Sequence, residues 1–129
     1  MRTAIITKIF RFESAHRLEY HQGKCAQLHG HSYKLEVSVF SNIKEALGQS
    51  DHGMVMDFSE LSHIVKEAVI AQLDHKELGE ATGVYSTAEH LIHWIWEQLI
   101  IAGIPKEVLY RLRLWETESS YAELSQDIL

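Results

Sequence analysis

The chain has a single cysteine, which excludes an intramolecular disulfide, so the fold does not rely on oxidation. That fits a reducing cytosol and leaves intermolecular pairing as the one oxidative option. It has no basic cluster, and its net charge is −6. Both argue against general binding to nucleic acid or anionic membranes, which select a positive surface. No apolar run reaches transmembrane length, and the run in Met1–Lys8 is too short for a signal peptide. The expected location is therefore the cytoplasm. Repeats, low-complexity stretches and linkers are absent too. What is present is 129 residues of ordinary globular composition, 46% hydrophobic and 23% charged, expected to form one domain over 1–129.

Thr3 to Phe12 is rich in β-branched and aromatic residues and reads as a strand whose imperfect alternation a bulge would explain. Leu18 to Gln27 reads as a loop, His31 to Phe40 as a second strand, and Ser41 to Gly53 as a loop with room for a helical turn at Ile43 to Leu47. A helix opens at Asp57-Phe58-Ser59-Glu60, with Asp57 and Glu60 spaced as a capping box or Ser59 as the cap. Its apolar stripe is Leu61, Ile64, Val65, Ala68, Val69, Gln72 and Leu73, and Leu73 to Lys76 close it. After a glycine-containing connection from Leu78 to Tyr85, Ser86-Thr87-Ala88-Glu89 repeats the capping-box spacing. The second helix carries Leu91, Trp94, Ile95 and Leu99 and is stopped by Gly103 and Pro105, the only proline. Trp94 and Trp96 read as packing residues.

From Val108 the period returns to two: Val108, Tyr110, Leu112 and Leu114 share a face, and Glu116 falls on it, an odd place for a carboxylate. Tyr121 to Leu124 reads as a last short strand. The order ββααββ predicts an α+β fold, a four-stranded antiparallel sheet with two helices on one face. Tyr33, Leu35, Val37 and Val39 can be the helix-covered set only if the opposite, polar face is wet. Unpaired sheet edges favour assembly between subunits by strand pairing.

The stretch Cys25-Ala26-Gln27-Leu28-His29-Gly30-His31 carries the chemistry. In a strand, His29 and His31 lie on one face with Tyr33, and His16 shares parity with Phe10, Phe12 and Ser14. If the two strands pair, three imidazoles converge as in a catalytic zinc site with an open fourth position; a structural zinc would need Cys25 as fourth ligand. An isolated His-x-His recurs by chance, and the nearby His16 and Cys25 are what strengthen this one. Cys25 reads either as a small buried hydrophobe or, beside Lys24 and the histidines, as a reactive thiolate. Asp74-His75 reads either as a helix C-terminus finished by a favourable cation, which the local sequence favours, or as an oriented acid-base pair. Glu116 is either an arginine's salt-bridge partner or an anchor for a ligand edge with two parallel N–H donors. His21, His52, His63, His90 and His93 have no convincing partner spacing and read as surface or packing residues.

Taken in order, Phe12–His16, Cys25-x-x-x-His29-Gly30-His31, Gly53–Phe58, Leu73-Asp74-His75, Ser86–Glu89 and Trp115-Glu116-Thr117 resemble the family of 6-pyruvoyl- and 6-carboxy-tetrahydropterin synthases. The resemblance implies the tunnelling fold, in which the sheets of three subunits close into a barrel and two trimers stack as a homohexamer. It implies one zinc per subunit on His16, His29 and His31, and proton transfer by Cys25 with Asp74 and His75 across a subunit interface. It also implies a pterin anchored by Glu116, with Thr87 and Glu89 lining the same pocket. The implied substrate is 7,8-dihydroneopterin triphosphate. Three residues between the cysteine and His-Gly-His resemble the bacterial carboxy enzymes of the queuosine pathway, which release acetaldehyde and triphosphate and leave 6-carboxy-5,6,7,8-tetrahydropterin. Two positions depart from the family pattern, Ser86 where proline is common and Gly79 where asparagine is, and neither removes a catalytic group. The alternatives are a pyruvoyl synthase on the same substrate and a non-catalytic zinc- or pterin-binding oligomer; a dihydroneopterin aldolase is disfavoured because it needs no His-x-His metal site.

Overall fold

The structure, a computed structural model, describes residues 1–129. Strand β1 (Thr3–His16) pairs antiparallel with β2 (His29–Asn42) without a break, from Thr3 opposite Asn42 to His16 opposite His29. Both strands run further than the sequence suggests. The bulge expected in β1 is not there. Its alternation is imperfect because Ile5 and Ile9 sit about half-exposed on the outer face of the sheet.

Strands β3 (Leu109–Thr117) and β4 (Ser120–Ser125) complete an antiparallel meander of order β1-β2-β3-β4. Two irregularities in β3 change which residues face inward. Ser38 pairs with Arg111 but Val39 with Leu109, leaving Tyr110 as an extra residue. The parity flips there, so Leu109, rather than Val108 or Tyr110, is buried beside Leu112 and Leu114. The second shift lies between Trp115 and Thr117, where Glu116 is the residue without a partner on β4.

The inner face, with Phe10, Phe12, Tyr33, Leu35, Val37, Val39, Leu112 and Leu114, is the helix-covered one, and the polar face is open. The first cover is a continuous helical run: α1 (Phe58–Val65), a wider π turn (Lys66–Ile70) and α2 (Ala71–Leu73). Its buried residues Leu61, Val65, Val69 and Leu73 are spaced by four. In a pure α-helix each such step drifts by about 40°; the wider turn offsets that drift and keeps all four on the core, leaving Gln72 exposed. Asp57, not Ser59, is the cap, accepting from the Ser59 N–H at 2.8 Å.

The connection expected from Leu78 contains a short helix, α3 (Leu78–Thr82), capped by Glu77 and ended by Gly83 in the left-handed region at φ 74°. Five residues including a glycine give too little periodicity to read. Helix α4 (Ala88–Ile101) is capped by Thr87, which accepts from the His90 N–H at 3.2 Å, so the Ser86/Glu89 box does not form. No helical turn forms at Ile43 to Leu47; the loop is tied by the Lys44–Asp51 ion pair at 2.9 Å. Leu112 is fully buried in this core, and Leu112→Ala should lower stability by about 2–5 kcal/mol, measured by urea denaturation.

Candidate metal centre and adjoining pocket

The β1–β2 ladder ends on a pair of histidines. His16 lies opposite His29, and Ser14 opposite His31. Strand alternation sends all three imidazoles to the inner face at one end of the sheet, as the sequence predicts. Ring centroids are 4.6 Å apart for His16–His29, 5.1 Å for His16–His31 and 4.8 Å for His29–His31. One ligand nitrogen from each lies within 4.8 Å of the others.

Their hydrogen bonds fix which nitrogen is free. His16 Nδ1 is 2.7 Å from the Ser86 carbonyl oxygen, and His29 Nδ1 is 2.7 Å from that of Gln27. A carbonyl only accepts, so each Nδ1 carries the proton and each Nε2 presents a lone pair. His16 is fully buried, and its Nε2, like that of His31, has no hydrogen-bond partner. Buried orphan acceptors are costly, and a cation shared by three lone pairs satisfies them. The carbonyl contacts are the kind that orient metal-binding imidazoles. Burial lowers the His31 pKa, with Glu116 opposing and His16 and His29 adding to the effect. The residues fit a divalent metal such as zinc.

Glu116, left unpaired by the second bulge, turns toward this cluster. Its Oε1 lies 3.6 Å from His31 Nε2 and its Oε2 4.0 Å from His16 Nε2. It also lines a pocket of about 310 Å³ with Glu89, Ala88, Ser120, Tyr121 and Ala122. Thr87 is not among the residues lining that pocket; its hydroxyl caps α4.

Cys25 sits half-buried in a 3₁₀ turn (Lys24–Ala26) and is not among the clustered donors. Asp74 and His75 follow α2 as a fixed unit. Asp74 Oδ1 accepts the Glu13 N–H at 2.9 Å, and its Oδ2 lies 3.0 Å from His75 Nδ1. The His75 N–H in turn donates to the Glu13 carbonyl at 2.6 Å. His75 adopts φ 57°, an uncommon left-handed conformation for a non-glycine residue, held by these bonds to β1. His75 and His31 line one open cleft of about 580 Å³ with Glu13, Ser32 and Lys76.

The Glu13 N–H, followed by the His75 side chain, holds the Asp74 carboxyl below the usual carboxylate range. A depressed folded pKa gives a stability contribution that is complete above about pH 4 and lost as the pH falls through the lowered value. Asp74→Asn should therefore lower Tm at pH 7, with the difference from wild type closing toward about pH 2 in pH-dependent thermal melts.

Strand alternation places Tyr33 beside His29 and His31. Its buried hydroxyl has no partner, and burial, then Glu116, raises its pKa. The Ser86 and Gln27 carbonyls and the Glu13 backbone carry no side-chain signal and could not be read in advance.

A family model described as 6-pyruvoyl tetrahydropterin synthase matches residues 5–127. The 6-carboxy-5,6,7,8-tetrahydropterin synthase of Synechocystis sp. is 43% identical over 119 residues, 92% of this chain and 90% of that protein. The 6-pyruvoyl tetrahydrobiopterin synthase of Dictyostelium discoideum is 39% identical over 134 residues, 93% and 94% of the two chains. The fold matches that of Caenorhabditis elegans 6-pyruvoyl tetrahydropterin synthase with a TM-score of 0.82 at 23% identity, covering 97% and 96% of the chains.

Proposed function

Because the chain belongs to the 6-pyruvoyl tetrahydropterin synthase family, we propose that it is an enzyme, a zinc-dependent 6-carboxy-5,6,7,8-tetrahydropterin synthase. It converts 7,8-dihydroneopterin triphosphate and one water, which supplies the second carboxyl oxygen, to the carboxy pterin with loss of acetaldehyde and triphosphate, in queuosine biosynthesis. The observation that carries this reading is the convergence of His16, His29 and His31, two of them with Nδ1 protons committed to carbonyls. One zinc per subunit bound there would supply Lewis acidity toward an oxygen of the substrate side chain.

The chain's own residues do the rest. Asp74 fixes the His75 tautomer through Nδ1, leaving Nε2 to exchange a proton with substrate. The Cys25 thiolate is the second proton-transfer group, close enough in sequence to His29 to share their site in the assembled enzyme. Glu116 and Glu89 present carboxylates to one pocket and suit the amino and ring N–H edge of a pterin; Thr87 positions the start of α4 beside it.

Residues 1–129 act as one tunnelling-fold domain. Strands β1 and β4 are the open edges of the sheet, and pairing them between subunits closes a barrel of three copies, stacked twice into a homohexamer. Sedimentation should therefore give a particle of six chains. The enzyme works in the cytoplasm, and no helix is long and apolar enough to cross a membrane.

A second reading, 6-pyruvoyl tetrahydropterin synthase, has the Dictyostelium relative behind it; the short spacing from Cys25 to His29 favours the carboxy product. Mass analysis after incubating zinc-loaded protein with 7,8-dihydroneopterin triphosphate separates them. A carboxy pterin is expected, a retained three-carbon side chain would support the second reading, and unchanged substrate would contradict both and leave a non-catalytic binding oligomer.

A further inference from the structure

We propose that Tyr33 is a positioning residue for Glu116, its buried hydroxyl donating to that carboxylate as a pterin edge is seated on it. This deepens the pterin reading above and rests on it.

Tyr33 is placed by the two ladders that β2 shares. On one side it pairs with Phe12 of β1, the rings stacked 5.0 Å apart and 5° from parallel. On the other side, Leu35 lies opposite Leu114 and Lys34 opposite Trp115. One step further, the same register brings Tyr33 opposite Glu116, the residue that the second bulge leaves without a partner on β4. Residues directly opposed on one face carry Cβ atoms about 4.5–5.5 Å apart, within reach of a phenol and a carboxylate. The Tyr33 ring also stands edge-on to His16 and His31, with centroids 6.2 and 5.6 Å away. Packing therefore fixes the ring on several sides.

In this rigid setting one capability is unspent. Tyr33 is 1% exposed, and its hydroxyl oxygen has no hydrogen-bond partner. A buried unpaired hydroxyl is destabilising, and a phenylalanine would fill the same slot between Phe12 and the imidazoles without that penalty. A tyrosine hydroxyl is protonated at neutral pH and can donate.

Glu116 has the complementary need. Its oxygens lie 3.6 Å from His31 and 4.0 Å from His16, beyond hydrogen-bond reach, so neither is held there by a hydrogen bond. The side chain is 29% exposed and also lines the pocket shared with Glu89. A carboxylate with this freedom loses it on gripping a flat ring edge, and the loss weakens binding. A donor already fixed by packing reduces that loss. It also leaves lone pairs on both oxygens for two parallel N–H groups, and a hydroxyl donating to a carboxylate makes one of the stronger hydrogen bonds. In the free chain the carboxylate leans toward the imidazoles and the hydroxyl is unpaired; a ring edge in the Glu89 pocket draws the carboxylate onto the phenol.

Tyr33→Phe tests this, because it removes one oxygen and keeps the stacking. Fluorescence titration with 2-amino-4-oxopteridine, which has the ring edge but no side chain, should show binding weakened by about 10- to 100-fold, the weight of one hydrogen bond to a charged group. Thermal melts of the free variant should show it at least as stable as wild type, since the lost hydroxyl was unpaired. Co²⁺ affinity, read by competition with a chromophoric chelator, should be unchanged. In a Glu116→Gln background the same substitution should weaken the pteridine much less, the non-additivity expected of two groups acting as one. Pteridine affinity unchanged in Tyr33→Phe would overturn the inference and leave the proposed function standing. So would an equal loss in both backgrounds, which would mean direct contact with the ring, or a loss of Co²⁺ affinity, which would mean action on the histidines. Failure of the wild-type protein to bind the pteridine would overturn the pterin reading along with it.

Discussion

Cys25→Ala should reduce kcat by about 10²- to 10⁴-fold, the usual weight of a positioned proton-transfer group, with metal content and fold unchanged. The structure groups the donors that could hold a metal as three imidazoles, and the Cys25 thiol is not among them. A structural thiol–metal bond would make the alanine variant lose metal as well as activity, and a small buried hydrophobe would leave both nearly intact. Measuring kcat together with bound zinc by atomic emission distinguishes the three outcomes, and only loss of turnover with metal retained agrees with proton transfer by Cys25.

The second large effect is at His31. Its ring projects from β2 and is half-buried, with no committed hydrogen bond on Nε2, so His31→Ala removes a metal donor while disturbing packing less than a change at fully buried His16. Metal affinity should fall by more than about 100-fold, beyond what loss of an outer partner costs, and turnover should disappear with it. Competition with a chromophoric chelator gives the affinity, and circular dichroism shows that the variant stays folded. Full metal occupancy in this variant would place the ion elsewhere.

The three histidines were legible because strand alternation is a strict geometric rule: His29, His31 and Tyr33 must share a face, and one pairing register brings His16 to them. The same rule puts Tyr33, Leu35, Val37 and Val39 on one face but leaves their burial conditional on a wet opposite face, a condition the structure meets. What could not be read were the places where the ladder breaks. The bulge at Tyr110 swaps Leu109 for its neighbours in the core, and the bulge at Glu116 frees that carboxylate to reach the histidines. Likewise the π turn at Lys66–Ile70 is inserted because the core needs spacing by four, a demand set by tertiary packing. The Asp74–His75 pair shows the same limit. The local sequence favoured a solvated helix end, yet the pair is pinned to β1 by the backbone of Glu13, across a sequence separation of 61 residues.

The most direct test of the account is acetaldehyde released per 7,8-dihydroneopterin triphosphate consumed, measured with zinc-loaded and chelator-stripped protein. One equivalent of acetaldehyde formed with the carboxy pterin, lost on chelation and restored by zinc, is the predicted result. Substrate left intact by the zinc-loaded protein, or turnover indifferent to chelation, would contradict it.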